Sequence, residues 1–223
     1  MYWTDEGYLL SKNNFDENSL IIEVFTLKHG KYTGIVYGGS SRKQKKNFQV
    51  GNKIFLNWKS KGENKSGYFN VELLEPISPF FFDDKKKSAL ILSATSILKI
   101  LLPERQLNEK IYRSFEKMLN NLGMKNWIEL YIFWELSLIK ELGYEIELLS
   151  SNKKDPQNNS IVELNDKHLK VPRMISENSS EIKNKKEIKE ALNFNKNLFI
   201  ENFIIPNKLR FPLFRNILEN YYS

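Results

Sequence analysis

Residues 20–51 read LIIEVFTLKHGKYTGIVYGGSSRKQKKNFQVG, two apolar segments followed by a basic run that contains glycine. The segments Leu20–Thr26 and Tyr32–Tyr37 are short, rich in β-branched and aromatic residues, and bounded by glycine or polar residues. That composition is typical of β-strands joined by turns. The stretch raises two questions: which kind of sheet holds these strands, and whether the basic run binds phosphate or is only a solvated loop.

Three further segments near the N-terminus also have the pattern of strands: Trp3–Ser11, Ile54–Lys59 and Tyr68–Leu74. In the last of these, apolar residues alternate with more polar ones, which is the period-two pattern of a half-buried strand. Five short strands in about 75 residues leave no room for crossover helices. They therefore predict a small antiparallel barrel or sandwich.

The chain after Pro79 has the apolar spacing of helices. The predicted helices are Ser88–Leu102 with Ser88 as N-cap, Leu107–Leu122, Trp127–Leu142 and Lys208–Tyr222. A polar insert at about 150–184 predicts a long or partly disordered loop. The sequence thus predicts an α+β protein with a β domain at 1–79 and an all-helical domain at 80–223.

The charge balance suits an anionic partner, because the net charge is +7 and the sequence pI is about 9.3. Abundant Lys, Asn and Ile together are equally typical of an AT-rich genome, so composition alone leaves both explanations open. Clustering is more informative, because residues 28 to 61 contain many basic residues and no Asp or Glu. The basic residues of this run are Lys28, Lys31, Arg42, Lys43, Lys45, Lys46, Lys53, Lys59 and Lys61.

Several kinds of chemistry lack their residues in this sequence. Cysteine is absent, which excludes disulfides, thiolate catalysis and cysteine-ligated zinc, and His29 and His168 are the only histidines. No phosphate-binding loop, dinucleotide fingerprint or nucleophile elbow is present. The N-terminus lacks the order of a secretory signal, and the apolar run 89–102 is too short to span a bilayer. We therefore expect a cytoplasmic protein that is not an enzyme and has no metal or cofactor.

The basic run is the remaining candidate for function, since phosphate contacts need positive charge and base stacking needs aromatic faces. Strand alternation places Trp58 in the core and Phe55 on the opposite face with Lys59, so Phe55 is the candidate for stacking. Tyr32 and Tyr37 stay open between core and stacking. The predicted DNA-binding residues are Lys28, His29, Lys31, Arg42, Lys43, Lys45, Lys46, Phe55, Lys59 and Lys61.

Five segments together resemble the RecO family of DNA repair proteins, in particular its alphaproteobacterial type. In the first 75 residues they are WTDEGYLLS, EVFTLKHGKYTGIVYGGSSRKQKKNFQVGN and WKSKGENKSGYFNVELLE. LPERQLNEKIYRSFEKMLNNL and WELSLIKELGYEIEL follow in the same order and at the family's spacing. The resemblance covers about residues 1 to 150, and the combination of FTxxHGK…GGSSRK with WELxLxxxLGY is specific.

The resemblance implies an N-terminal five-stranded OB-fold barrel followed by a helical domain. It also implies a non-enzymatic recombination mediator of the RecF pathway, active in DNA recombination after DNA damage. Such a protein binds single- and double-stranded DNA and anneals complementary strands. Together with RecR it helps load RecA onto DNA coated by single-stranded DNA-binding protein (SSB). An alternative is an OB-fold protein that binds RNA in translation or RNA handling, because OB barrels accept either nucleic acid.

Two departures from the family pattern limit what the resemblance implies. The four zinc-binding cysteines that many members carry after LGY are absent, so no metal is expected. Phe133 replaces the arginine that precedes the aromatic-Glu-Leu motif and helps hold the acidic SSB tail. Arg113 and Lys117, one helical turn apart, are the substitute candidates for that contact. Such a basic pair is equally typical of a solvated helix face.

Overall fold

The computed structural model describes residues 1–42, 44, 46–60, 62, 67–144, 161–164, 167–177 and 184–223. The chain forms two compact units, Met1–Arg113 and Ser114–Ser223. The predicted division at residue 79 stays a prediction.

Five strands in the first unit close into a barrel with the order β1-β2-β3-β5-β4, the arrangement of an OB-fold. The strands are β1 (Tyr2–Asn14), β2 (Leu20–Thr26), β3 (Gly30–Val36), β4 (Lys53–Lys59) and β5 (Gly67–Glu75). The predicted strands are confirmed, with ends shifted by a few residues.

The prediction of a purely antiparallel barrel is wrong at one seam. β1 pairs antiparallel with β2 and β4, β2 with β3, and β4 with β5. These four pairings require β3 and β5 to run in the same direction. When the two meet at Gly34 and Ile35 they therefore pair in parallel, and the sheet is mixed.

The barrel interior is filled by the inward-facing residues of all five strands and by Phe48 from the segment between β3 and β4. Trp58 is 3% exposed, which confirms its predicted place in the core. Its indole lies directly over Gly67, where a β-carbon would come within 2.0 Å of the ring. Glycine at this position is therefore required by the size of the tryptophan.

The free side of β3 is covered by the segment that follows the first helix. Lys31 bridges to Glu104 as in a parallel strand pair, and the Arg105 amide donates to the Lys31 carbonyl at 2.8 Å. Gly30 allows this close approach, because a β-carbon there would lie 2.0 Å from the carbonyl oxygen of Gln106. The segment 104–106 thus lies along the part of β3 below its pairing with β5.

The helices of the chain begin with α1 (Lys85–Leu101), α2 (Glu109–Asn120) and α3 (Trp127–Glu141). A 3₁₀ turn at Ser78–Phe81 precedes α1. The N-cap of α1 is Asp84, whose carboxylate accepts from the amides of Lys86 and Lys87, so the predicted cap at Ser88 is wrong. The later helices are α4 (Arg173–Glu177), α5 (Lys185–Phe199) and α6 (Leu213–Asn220), with a π-helical turn at Ile200–Ile204 after α5.

The predicted helical character of the second half is confirmed, apart from two short strands that an all-helical domain would not contain, β6 (Ile161–Leu164) and β7 (Lys167–Lys170), which pair antiparallel. They belong to the polar insert predicted at 150–184, much of which lies outside the described residues. The predicted helix at 208–222 begins later, after Pro212. The sequence analysis did not predict α5, because the segment before and at its start is polar. The helix begins with a capping box formed by Asn184 and Glu187.

A buried ion pair joins α3 and α6 in the second unit. The Arg215 Nε donates to Glu135 Oε1 at 2.6 Å and Nη2 donates to Oε2 at 3.1 Å, with both side chains fully buried. Tyr131 and Asn195 donate to the same carboxylate at 2.7 and 3.1 Å. Burial is the largest single influence on Arg215 and lowers its pKa, but the charge and hydrogen bonds of Glu135, together with Tyr131 and Glu219, outweigh it, and the net pKa is raised. Arg215 is therefore charged, and its hydrogen bonds to Glu135 link α6 to α3.

No helix in the described part of the chain is long and apolar enough to cross a membrane.

Candidate nucleic-acid interface

The basic run folds as successive turns between β3 and β4. Hydrogen bonds of the turn type join Ser41 to Gly38, Gln44 to Ser41 and Asn47 to Gln44, with N···O distances of 3.2, 3.0 and 2.9 Å. Phe48, only 1% exposed, then enters the barrel core and anchors the segment. We call the described residues of this segment, 38–42, 44 and 46–47, the basic turns. They form a loop held at both ends by a rigid barrel.

Two predicted phosphate-binding residues of the basic turns, Arg42 and Lys46, are exposed. Neither forms an ion pair with another described residue. The predicted residues Lys43, Lys45 and Lys61 lie outside the described residues. Arg42 and Lys46 thus offer positive charge to solvent at a position that the core fixes.

Lys31 has a different place from the one predicted. Its side chain is 11% exposed, and Nζ donates to the Lys99 carbonyl at 2.8 Å and lies 3.7 Å from a Glu104 oxygen. An ammonium held in this way contributes to packing of the segment after α1. Lys31 is therefore left out of the proposed phosphate contacts. Lys28 is exposed in the β2–β3 turn and its amide donates to Asp5 Oδ2 at 2.8 Å.

His29 belongs to an aromatic cluster at one end of the barrel. Its ring stacks on Trp3 with centroids 4.1 Å apart and planes 10° apart. Its Nδ1 lies 2.8 Å from Asp5 Oδ2, and that carboxylate is almost fully buried. Tyr32 packs edge-on against Trp3 and Trp58, so it completes the core at this end. This arrangement indicates that His29 orders the β2–β3 turn.

Phe55 lies half-buried on the outer face of β4, as predicted, but among acidic residues. Its direct neighbours across the sheet are Glu6 on β1 and Glu72 on β5. Lys53, 3.2 Å from Glu6, offsets only part of this negative charge. Carboxylates on both sides repel a phosphate backbone. Phe55 is therefore a poor position for stacking a nucleic-acid base.

The other end of the same sheet face has a different character. Lys59 is directly opposite Tyr2 on β1 and Tyr68 on β5, and its ammonium lies 5.7 Å from the Tyr2 ring centroid. The rings of Tyr68 and Tyr37 follow with centroids 6.0 Å apart. Tyr2 and Tyr37 are 62% and 66% exposed. We call Tyr2, Lys59, Tyr68 and Tyr37 the tyrosine–lysine strip.

Sequence reasoning identified Lys59 in this strip and kept Tyr37 as a possible stacking residue, but it assigned no role to Tyr2 or Tyr68. Alternation along β4 and β5 was sufficient to put Lys59 and Tyr68 on the outer face. The order of the strands in the barrel was needed to bring residues of four different segments into one row. Tyr37, left open between core and stacking, is resolved by its exposure.

A groove of about 450 Å³ lies beside the basic turns, between the end of β1 and the beginning of β2. Ser40 and Phe48 contribute to its lining. Ser40 also donates to the carbonyl of Glu17 at 2.9 Å, which ties the basic turns to the β1–β2 turn. Because that turn carries Asp16 and Glu17, its side of the groove is unfavourable for phosphate.

The residues predicted to hold the SSB tail lie on α2. Arg113 and Lys117 are both exposed, and Arg113 Nε is 3.7 Å from Glu109 on the same helix. Phe133 on α3 is half-buried. These positions agree with a solvated helix face, and the SSB contact stays a prediction.

The described residues contain no group of three or more His, Asp or Glu side chains that could hold a metal ion. His168, on β7, is paired in register with Glu163.

Comparisons with known proteins match both halves of the chain to one family. The family model described as "Recombination protein O N terminal" matches residues 1–77, and "Recombination protein O C terminal" matches residues 83–196. The DNA repair protein RecO of Roseobacter denitrificans is 36% identical over 149 residues, which cover 66% of this chain and 62% of that protein.

Two further relatives agree. The DNA repair protein RecO of Cereibacter sphaeroides strain ATCC 17025 is 34% identical over 146 residues, covering 66% of this chain and 61% of the relative. That of the Wolbachia of Drosophila simulans is 32% identical over 150 residues, covering 66% and 62%. The matched part spans about three-fifths of the length of these relatives. With both family models matched in order along most of its length, the chain belongs to the RecO family.

Proposed function

We propose that this protein is a recombination mediator that binds single- and double-stranded DNA and anneals complementary strands. The observation that carries the proposal is the pair of exposed cations, Arg42 and Lys46, on turns anchored to an OB-fold barrel in a member of a DNA repair family. In this role, RecR is the partner with which it helps load RecA onto SSB-coated DNA. The role also predicts a cytoplasmic protein that joins the nucleoid during repair.

Annealing follows from the physics of such a surface without a catalytic group. Two complementary strands repel each other through their phosphates. A protein that binds both through Lys and Arg lowers this repulsion and leaves the base edges free to pair. The chain therefore needs no nucleophile or general base for this activity.

The number of phosphate contacts sets the size of the effect. Without Lys31, four cations stay as candidates: Arg42 and Lys46 of the basic turns, together with Lys43 and Lys45 from the sequence. Four neutralised phosphates give a salt slope of about −2.8 for a single strand. The affinity should then fall about 50-fold between roughly 50 and 200 mM salt.

The test is the affinity of an Arg42→Ala/Lys46→Ala variant for a labelled single strand across that salt range. We expect weaker binding at low salt and a slope reduced to about −1.4, because two contacts are lost. The matched control is Lys125→Ala/Lys185→Ala, which removes two exposed positive charges outside the barrel and should leave the slope unchanged. Equal slopes for the two double variants would show that the basic turns do not bind the strand.

Mediation is tested separately by annealing of complementary strands precoated with SSB, without ATP. Acceleration by the wild-type protein supports the mediator role. Competition between DNA and RNA oligomers of one sequence addresses the RNA-binding alternative, which predicts a preference for RNA. Titration of a labelled SSB tail peptide tests the contact assigned to Arg113 and Lys117, and the absence of saturable binding excludes it.

A further inference from the structure

The outer face formed by β1, β4 and β5 changes in character from one end to the other. At one end lies the tyrosine–lysine strip, and Asn57 and Asn70 form the next row. Phe55 follows between Glu6 and Glu72. The face is thus aromatic and basic at one end and acidic at the other. A polyanion is attracted to the first end and repelled from the second.

The strip places an aromatic ring on each side of a positive charge. Tyr2 and Tyr68 flank Lys59 on the two neighbouring strands. Strands lie about 4.8 Å apart, so the two tyrosines are separated by roughly 10 Å with a positive charge between them. Tyr37 extends the row beyond Tyr68 and immediately precedes the basic turns in the chain. The rings and the cations therefore form one surface for bases and phosphates.

Exposure of these rings is costly unless they have a ligand. Tyr2 and Tyr37 are 62% and 66% exposed, whereas Phe48 and Phe69 of the same barrel are buried. Large aromatic side chains in a polar surround typically mark a binding surface. The Tyr2 hydroxyl donates to Asn57 at 3.1 Å, which holds this ring on the sheet.

We propose that the tyrosine–lysine strip stacks unpaired bases of single-stranded nucleic acid while Lys59 contacts the phosphate between them. This inference rests on the proposed function and adds to it the chemistry of recognition. The basic turns bind phosphates of any strand, whereas the strip selects strands whose bases are unstacked and accessible. A duplex, whose bases are stacked inside, cannot use the strip. Stacking is sequence-tolerant because every base has a π-face.

The experiment compares two labelled oligomers of equal length and charge, one with normal bases and one with abasic sites throughout its centre. The full chain is titrated with each. Base–aromatic stacking strengthens binding about 10-fold for each base held, so the wild type should prefer the normal oligomer by at least about 10-fold. A fluorescent base analogue in the normal oligomer should be quenched on binding.

The variant is Tyr2→Leu/Tyr37→Leu, which changes two exposed side chains and leaves the core intact. We expect it to lose most of the preference for normal bases while binding the abasic oligomer as the wild type does. Tyr2→Phe/Tyr37→Phe retains the rings and should retain the preference. Phe15→Leu, an exposed aromatic residue in the acidic β1–β2 turn, is the matched control and should have no effect.

Each outcome decides between the two proposals. Equal binding of both oligomers by the wild type overturns the strip but leaves the basic turns supported. The strip is also overturned when the leucine variant keeps the preference for normal bases, in which case these tyrosines belong to a protein-binding surface. Absence of binding to either oligomer overturns both proposals together. The Arg42→Ala/Lys46→Ala variant should bind both oligomers more weakly than the wild type, by the same factor.

Discussion

Replacing Glu135 by Gln should destabilise the second unit strongly, because it removes the nearest counter-charge of the buried Arg215 guanidinium and leaves only Glu219, whose Oε2 lies 3.5 Å from Nη1. Glutamine has nearly the same shape and can still accept a hydrogen bond from Tyr131. The substitution therefore changes charge with little change in packing. The substitution is therefore expected to change the stability of the fold, which is measured by unfolding and not by DNA binding.

The magnitude follows from the contacts. The Glu135 carboxylate accepts four hydrogen bonds, at 2.6 and 3.1 Å from Arg215, 2.7 Å from Tyr131 and 3.1 Å from Asn195. Removing one partner of a buried ion pair costs about 3–5 kcal/mol. That is a large part of the roughly 5–15 kcal/mol by which domains are stable. For a chain of this size the loss corresponds to a Tm lower by about 6–20 °C.

The assay is thermal unfolding followed by the far-UV circular dichroism of the helices. Glu109→Gln is the control, since it breaks the exposed pair with Arg113, worth less than about 1 kcal/mol. Glu135→Met/Arg215→Met should recover most of the lost stability, because a buried pair replaced by apolar side chains leaves no isolated charge. A Tm for Glu135→Gln within about 2 °C of the wild type would refute the reasoning.

Two predictions concern the barrel. Lys31→Met should lower the free energy of unfolding by about 1–2 kcal/mol, because it removes the bond to the Lys99 carbonyl, and should leave the salt slope of DNA binding unchanged; a reduced slope would return Lys31 to the phosphate contacts. Gly67→Ala should cost about 1–3 kcal/mol or more in chemical denaturation, because its β-carbon would lie 2.0 Å from the Trp58 ring. Gly123→Ala, with open space at the β-carbon, is the control for Gly67; equal effects would contradict the packing argument.

Strand alternation was sufficient to predict the five strands and the core position of Trp58, because one face of each strand packs into the same apolar interior. It was not sufficient for the site. Whether Phe55 meets cations or carboxylates depends on its register against β1 and β5, which no local pattern contains.

Two charged residues whose roles the sequence did not reveal, Lys31 and Glu135, have partners distant in the chain. Lys31 reads as one more member of a basic run, but its ammonium binds a carbonyl at residue 99. Glu135 reads as part of a helix motif, but its counter-charge is 80 residues away. Charged side chains are placed by tertiary contacts, and these can be seen only when the chain is folded.

The strand-like pairing of Glu104 with Lys31 protects the edge of β3 from pairing with another protein chain. An unpaired strand edge is a template on which another chain can add a strand and begin to aggregate. In this protein, residues 104–106 of the same chain cover the unpaired part of β3. This requires glycine at position 30, because a β-carbon there would clash with the Gln106 carbonyl. The segment that covers this edge lies about 25 residues beyond residue 79, the predicted end of the barrel domain. Protection of the barrel against strand addition therefore depends on residues that follow its five strands in the chain.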